Sequence, residues 1–378
     1  MLLDFVVDPV LLETTISRFL KAQYSNNLYK NDEFRKETWK EFADLGLLGL
    51  PLSSIHGGSD GGPAEVMVMM EHLGKVLANE PYLSCVILGA GTVQRAGSSK
   101  QKDTILPQVT AGELLLAFAN GERQSRYGLA DVTTIARPSG SGWILTGEKT
   151  YVLHGDFADK FVVSARTSGE RLDREGVSLF LVDSNASGLK RRKFVTQDNL
   201  TAAQLWLDGV TVEADVLLGT VGEGLAILES VMQAAIAARC AEAVGTMQTA
   251  LDLTVDYLKT RQQFGVAIST FQSLQHRAAE MLVAVEQARS MAMFAARAMT
   301  MADPAERRRA ISAAKVQIGR SARFVGQQAI QLHGAIGVTE EHKVGHCFRR
   351  LTAIELMFGD ADYHLSALAA DGGLVAWE

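Results

Sequence analysis

Arg261, Phe264 and Gly265 stand in the run Tyr257-Leu-Lys-Thr-Arg261-Gln-Gln-Phe264-Gly265, which is followed by Phe271-Gln272, by Gln275-His276, and later by Gln331-Leu-His333-Gly334-Ala-Ile-Gly337. A guanidinium presents a planar fork that matches a phosphate, and an aromatic ring offers a flat apolar face. The amides Gln272 and Gln331 both donate and accept, and Gly334 and Gly337 let backbone approach a ligand closely. Arg261 by itself also suits a solvated cation near a helix C-terminus, where it complements the dipole. Gln275 and His276 suit the polar edge of a bundle helix.

The elements that must position these groups follow from apolar spacing. Up to Gly112 the period is helical, with Trp39, Phe42, Leu45 and Leu48, then Val66, Met70, Leu73 and Leu77. Pro51, the run His56 to Pro63, and Pro81 mark turns. The glycine-rich run 57–62 follows no β-branched strand and precedes no Lys-Ser/Thr pair, so it is expected to be a loop rather than a phosphate cradle. From Glu113 the period becomes two, in residues 143–146, 161–164, 177–182 and 204–207. Strands without intervening helices predict an antiparallel barrel or sandwich. Helical spacing resumes near Gly222, with Val244, Met247, Leu251, Val255 and Leu258 on one face and Phe271, Leu274, Ala278, Met281, Val285 and Ala288 on another. Asp303-Pro304 starts a further helix that stops at His333-Gly334. The expected division is a helical domain over residues 1–112, a middle β domain over 113–222, and a helical bundle over 223–378.

Composition narrows the function classes. The chain has 378 residues, 47% of them hydrophobic, and a net charge of −6, with no basic stripe of the kind nucleic acid binding requires. No nucleic acid partner is expected. Cys85, Cys240 and Cys347 lie far apart, which fits neither a disulfide framework nor a zinc site and suits a reducing cytoplasm. Acids near the N-terminus do not resemble an export signal. Glu229, Arg239 and Glu242 interrupt the apolar stretch Leu225 to Val244, which points to a buried helix rather than a membrane span. His333 and His346 have no carboxylate or thiol at ligand spacing, so no metal site is expected. His154 is expected in an exposed turn, and Arg307-Arg308-Arg309 on a solvated face.

The order of elements and the motifs around Arg261 and Gln331 resemble the acyl-CoA dehydrogenase family over almost the whole chain. The resemblance implies an α+β fold with an N-terminal helical domain, a middle antiparallel β domain and a C-terminal four-helix bundle. It also implies an FAD cofactor, an acyl-CoA substrate, and an electron-transfer flavoprotein or similar acceptor. Arg261, Phe264, Gln272, Gln331, Gly334 and Gly337 would then reach the FAD of a neighbouring subunit. The stretches Phe118-Ala-Asn120-Gly121-Glu122 and Gly147 to Gly155 match the family's isoalloxazine-side segments in altered form, with Phe118, Asn120, Tyr151 and Leu153 at the contact positions.

Removing a proton from Cα needs a carboxylate base. The two positions where family members carry it fall on Ala235 and Phe358, so the nearest acids, Glu242, Glu355 and Asp360, are the remaining candidates. Several further runs, among them Thr196-Gln-Asp-Asn199 and Leu356-Met-Phe-Gly-Asp-Ala-Asp362, are most similar to small subunits of the family's pimeloyl-CoA members. That likeness implies a homo- or heterotetramer with a large acyl-CoA dehydrogenase subunit. The chain is then either a catalytic subunit or a noncatalytic scaffold that completes its partner's FAD site. Arg239, on the helical face of Ala235, either meets the distal carboxylate of a dicarboxylyl chain or pairs with Glu242 at i+3.

Overall fold

The computed structural model describes residues 3–24 and 34–372. They fall into two compact units, one drawn from Met1–Lys30, Pro63–Ala78 and Ile236–Glu378, the other from Asn31–Gly62 and Asn79–Ala235.

The first unit is a helical bundle. It contains α1 (Pro9–Gln23), α3 (Pro63–Val76), the part of α6 (Gly224–Thr260) from Ile236 onward, α7 (Gln272–Ala298), α8 (Pro304–His333), α9 (Lys343–Leu356) and α10 (Ala361–Ala370). Its core takes Met247 and Leu251 from α6, Met281 and Val285 from α7, and Ile311, Ala314, Ile318 and Val325 from α8. The periodic faces read from sequence are mostly buried; Val255, Leu274 and Ala278 are half-buried and Phe271, at the start of its face, is exposed. α8 begins where Asp303 accepts from the Ala305 amide at 2.9 Å, and it ends at Gly334, whose φ of 61° is costly for a side-chain-bearing residue. α6 is the described helix long and apolar enough to cross a membrane, yet 72% of its most apolar window is buried, as for a core helix.

The second unit holds α2 (Lys36–Asp44), α4 (Gly91–Ala96), α5 (Ser99–Thr110) and an eight-stranded sheet. The strands are β1 (Leu116–Ala119), β2 (Ile135–Ser139), β3 (Gly142–Leu153), β4 (Lys160–Arg166), β5 (Val177–Asp183), β6 (Leu189–Val195), β7 (Thr201–Val212) and β8 (Leu217–Leu218). Their order is β6-β7-β3-β2-β4-β5-β8, with β1 beside β4. Ala117, Phe161, Val163, Phe180, Leu205 and Leu207 fill its core. Most pairings are antiparallel, as expected, but β1 and β2 meet β4 in parallel. A period of two encodes which face a strand buries and not which neighbour it takes. β3 is no edge strand, because β2 and β7 flank it on both sides.

Candidate functional site

At the end of α6 the chain turns sharply. The two-residue strands β9 (Gln262–Gln263) and β10 (Val266–Ala267) pair antiparallel, with Phe264 at φ 55° and Gly265 at φ 82° between them. Both corner residues in the left-handed region match a type I′ hairpin turn. The turn pushes Phe264 out to 89% exposure, with Phe271 edge-on to it at 6.1 Å. Arg261, at the base of the hairpin, is exposed, and its amide donates to the Tyr257 carbonyl at 2.8 Å. Gln272 opens α7 on the same exposed corner. Gln275 donates to the Ser269 carbonyl at 2.8 Å, a structural use. At the end of α8, Gln331 and Gly334 are exposed and Gly337 is buried. A Cβ on Gly337 would lie 3.0 Å from the Ile330 carbonyl oxygen and 3.1 Å from His333 Cβ, which explains the glycine. A forked cation and two solvent-facing rings on one corner suit a phosphate-bearing heterocycle, so these residues fit the diphosphate and adenine of FAD.

The sheet unit carries the other matched positions. Phe118 and Leu153 are buried, Asn120 is half-buried, and Tyr151 is 45% exposed at φ 53°. Tyr151 stands where β3 shifts register against β7 between Lys149 and Val152, and its ring meets Phe194 at 6.2 Å. A phenol at the surface and main chain beside it are what this segment offers a flat ring. Beneath it, Lys149 is fully buried with its Nζ 2.6 Å from Glu122 and 3.1 Å from Ser164. Burial pushes the Glu122 carboxyl up, but the charge of Lys149 and hydrogen bonds from Lys149, Thr133 and Gln124 outweigh it and bring it down to about 2. His154 is not an exposed turn residue. It is 3% exposed with Nδ1 2.8 Å from Ser84 Oγ, because the chain at φ 55° turns the ring inward against Phe157.

The candidate acids are all engaged. Glu242 is 3% exposed and is shared by two guanidiniums, Arg239 on one oxygen and Arg350 on the other at 2.8 Å. Glu355 accepts from Arg323 at 3.0 Å and faces the Ala361 amide at 3.5 Å. Asp360 caps α10 through the Tyr363 amide at 2.8 Å. Ala235 is fully buried, and Phe358 is half-buried at φ 63°. Of the two alternatives for Arg239, the ion pair with Glu242 is the contact formed.

Two buried cations of the bundle were missed from sequence. Arg350 lies on the buried face of α9 with Val344, Cys347, Leu351 and Ile354, and also donates to the Ala78 carbonyl at 3.1 Å. Lys315 lies on the buried face of α8 between Ile311 and Ile318 and donates to the Ile354 and Glu355 carbonyls at 2.9 and 2.7 Å. Burial brings the Lys315 amine down to about 8, against the opposing pull of Cys240, Glu355 and Asp360. Helical spacing placed both on an apolar stripe, which was the available signal.

Family models for the N-terminal, middle and C-terminal domains of acyl-CoA dehydrogenases match residues 10–113, 117–210 and 222–372. The acryloyl-CoA reductase (NADH) of Anaerotignum propionicum is 28% identical over 344 residues, covering 89% of this chain and 86% of that protein. The FAD complex of PigA superposes with a TM-score of 0.89 at 26% identity, covering 98% of this chain and 100% of that one. The ChsE4–ChsE5 complex from Mycobacterium tuberculosis gives a TM-score of 0.83 at 25% identity, with 95% of each chain covered. With three domain models in chain order along most of its length, this protein belongs to the acyl-CoA dehydrogenase family.

Proposed function

We propose that this chain is the smaller subunit of a two-chain, FAD-dependent acyl-CoA dehydrogenase of the pimeloyl-CoA type, which forms a double bond between Cα and Cβ of an acyl-CoA thioester. The observation that carries the reading is the exposed corner that presents Arg261 and Phe264. FAD, when bound, supplies the acceptor for two electrons, which pass on to an electron-transfer flavoprotein or similar acceptor. Arg261 grips the diphosphate with its fork, Phe264 covers the adenine, and Gln272 and Gln331 satisfy polar edges. Tyr151 and the main chain next to it border the isoalloxazine ring, since Leu153 has no polar group to offer.

Desaturation also needs a carboxylate to take the Cα proton. Ala235 and Phe358 have none, and Glu242, Glu355 and Asp360 are committed to guanidiniums or to a helix cap. The base therefore comes from the partner chain. The same engagement supports the second reading, a noncatalytic scaffold that completes the partner's FAD site.

Co-expression with a large-subunit chain tests the proposal. The complex is expected to purify with bound flavin that bleaches on addition of an acyl-CoA. Arg261→Ala should weaken FAD binding by about 10- to 100-fold, the equivalent of one charged hydrogen-bonding group. Flavin that binds but resists bleaching would select the scaffold reading, and a complex that stays colourless in excess FAD would remove both.

A further inference from the structure

One ring stack ties together the segments that carry the flavin-contact residues of the bundle. His333, in the last turn of α8, is 2% exposed. Tyr257 of α6 stacks on it with centroids 4.7 Å apart and planes 23° apart, and His342 meets it at 4.6 Å and 57°. Tyr257 lies one helical turn before Arg261 and receives the Arg261 amide on its carbonyl. Gly337 packs so closely on His333 that a Cβ there would sit 3.1 Å from the histidine's own. His342 is the N-cap of α9, its Nδ1 accepting from the Val344 amide at 3.2 Å. A single imidazole thus touches the end of α6, the turn after α8 and the start of α9.

The hydrogen bonds fix the protonation state of both rings. His333 Nδ1 is 2.8 Å from the Ala329 carbonyl, which only accepts, so Nδ1 carries the proton. His342 Nδ1 accepts an amide, so the proton of its neutral form is on Nε2. The groups acting on His333 are Tyr257 and the Leu253 carbonyl from α6, the Ala329 carbonyl of its own helix, and His342. No carboxylate is among them. A second proton on either ring would place a charge in a buried aromatic contact and repel its neighbour.

We infer that His333 and His342 are positioning residues: in their neutral forms they lock the Arg261–Phe264 corner to the Gln331–Gly337 turn, and acidification releases both segments together and weakens flavin binding. The inference rests on the flavin reading of those two segments. Burial holds both imidazoles below the ordinary value of 6.5. A group depressed in the folded state contributes stability that is complete above its unfolded pKa and is lost as pH falls through its folded one. The lock is therefore intact at neutral pH and fails only as pH falls below the ordinary imidazole value of 6.5, through the lowered range in which the buried rings take up a second proton.

Hydrogen exchange of the full chain, corrected for intrinsic rates, tests the lock directly. Between about pH 7.5 and about pH 5, residues 257–271 and 331–345 are expected to lose protection in parallel. His333→Phe keeps a ring without a titrating proton and should lose less protection than the wild type in both segments over that range. His342→Asn retains the α9 cap acceptor without the ring and should reduce the pH response even if the first variant folds poorly. Fluorescence titration of the two-chain complex with FAD should show wild-type affinity falling about fivefold or more over that range, and a flatter profile for His333→Phe. Segments that respond separately, or a variant that follows the wild-type profile, would overturn the inference. Coupled exchange in a two-chain complex that binds no FAD at any pH would instead overturn the flavin reading and leave the lock standing.

Discussion

Two arginines share one buried carboxylate in the bundle, and that cluster bears on substrate choice. Glu242 meets Arg239 on one oxygen and Arg350 on the other, in an interior where an ion that loses its partner costs several kcal/mol. Arg350 also donates to the Ala78 carbonyl at 3.1 Å, whereas the described contact of Arg239 is with Glu242, so Arg239 is the arginine at which a further anion is tested. Replacing it leaves the Glu242–Arg350 contact in place, and Arg239→Leu is expected to fold. If Arg239 meets the distal carboxylate of a pimeloyl-type chain, the loss of a charged contact lowers kcat/KM for dicarboxylyl-CoA by about 10- to 100-fold. Monocarboxylyl-CoA turnover should change little. Equal losses on the two substrate classes, measured in the two-chain enzyme, would sink the assignment.

At the scale of elements, the cluster depends on how closely α3 and α6 approach. A Cβ on Gly74 would lie 2.1 Å from the Glu242 carbonyl oxygen, and one on Gly245 would lie 1.9 Å from that of Glu71. Each helix thus offers a glycine to the backbone of the other. Thr246 and Thr249 add hydrogen bonds to the Gly74 and Lys75 carbonyls at 3.1 and 2.9 Å. Gly74→Ala or Gly245→Ala must push the helices apart. Either is expected to destabilise the chain by about 3 kcal/mol, the upper end for overpacking, read as a lower denaturant midpoint. A loss below about 0.5 kcal/mol, the size of an ordinary surface change, would contradict the close packing. Sequence legibility divides along the same physical line. The ends of α8 were readable because Asp303-Pro304 and Gly334 act locally on the backbone. The parallel partners of β4 were not, because pairing joins residues far apart in the chain and leaves no local trace. The Arg261–Phe264 and Gln331–Gly337 runs were legible as motifs, whereas the stack of Tyr257, His333 and His342 needed three helices to meet.

The two units respond to acid in opposite senses of ease, which orders the unfolding of the molecule as a whole. His72, His333, His342 and His364 all belong to the bundle unit, and burial depresses each of them, His364 to about 4 with help from the charge of Lys315. The unfolded chain binds protons on these side chains near pH 6.5, before the folded chain does. Stability then falls by up to ~1.4 kcal/mol per pH unit for each proton taken up. Acid therefore erodes the bundle from about pH 6.5 downward. The sheet unit leans instead on Glu122, whose carboxyl is depressed to about 2, so its contribution is intact above the ordinary value of 4.5 and is lost only as pH falls toward 2. At about pH 5, between these two ranges, amides of α7 to α10 should exchange quickly while those of β3, β4 and β5 remain protected. Helical circular dichroism should decline over the same interval. Loss of strand protection before helix protection would show that burial of the four histidines does not govern the acid limit of this protein.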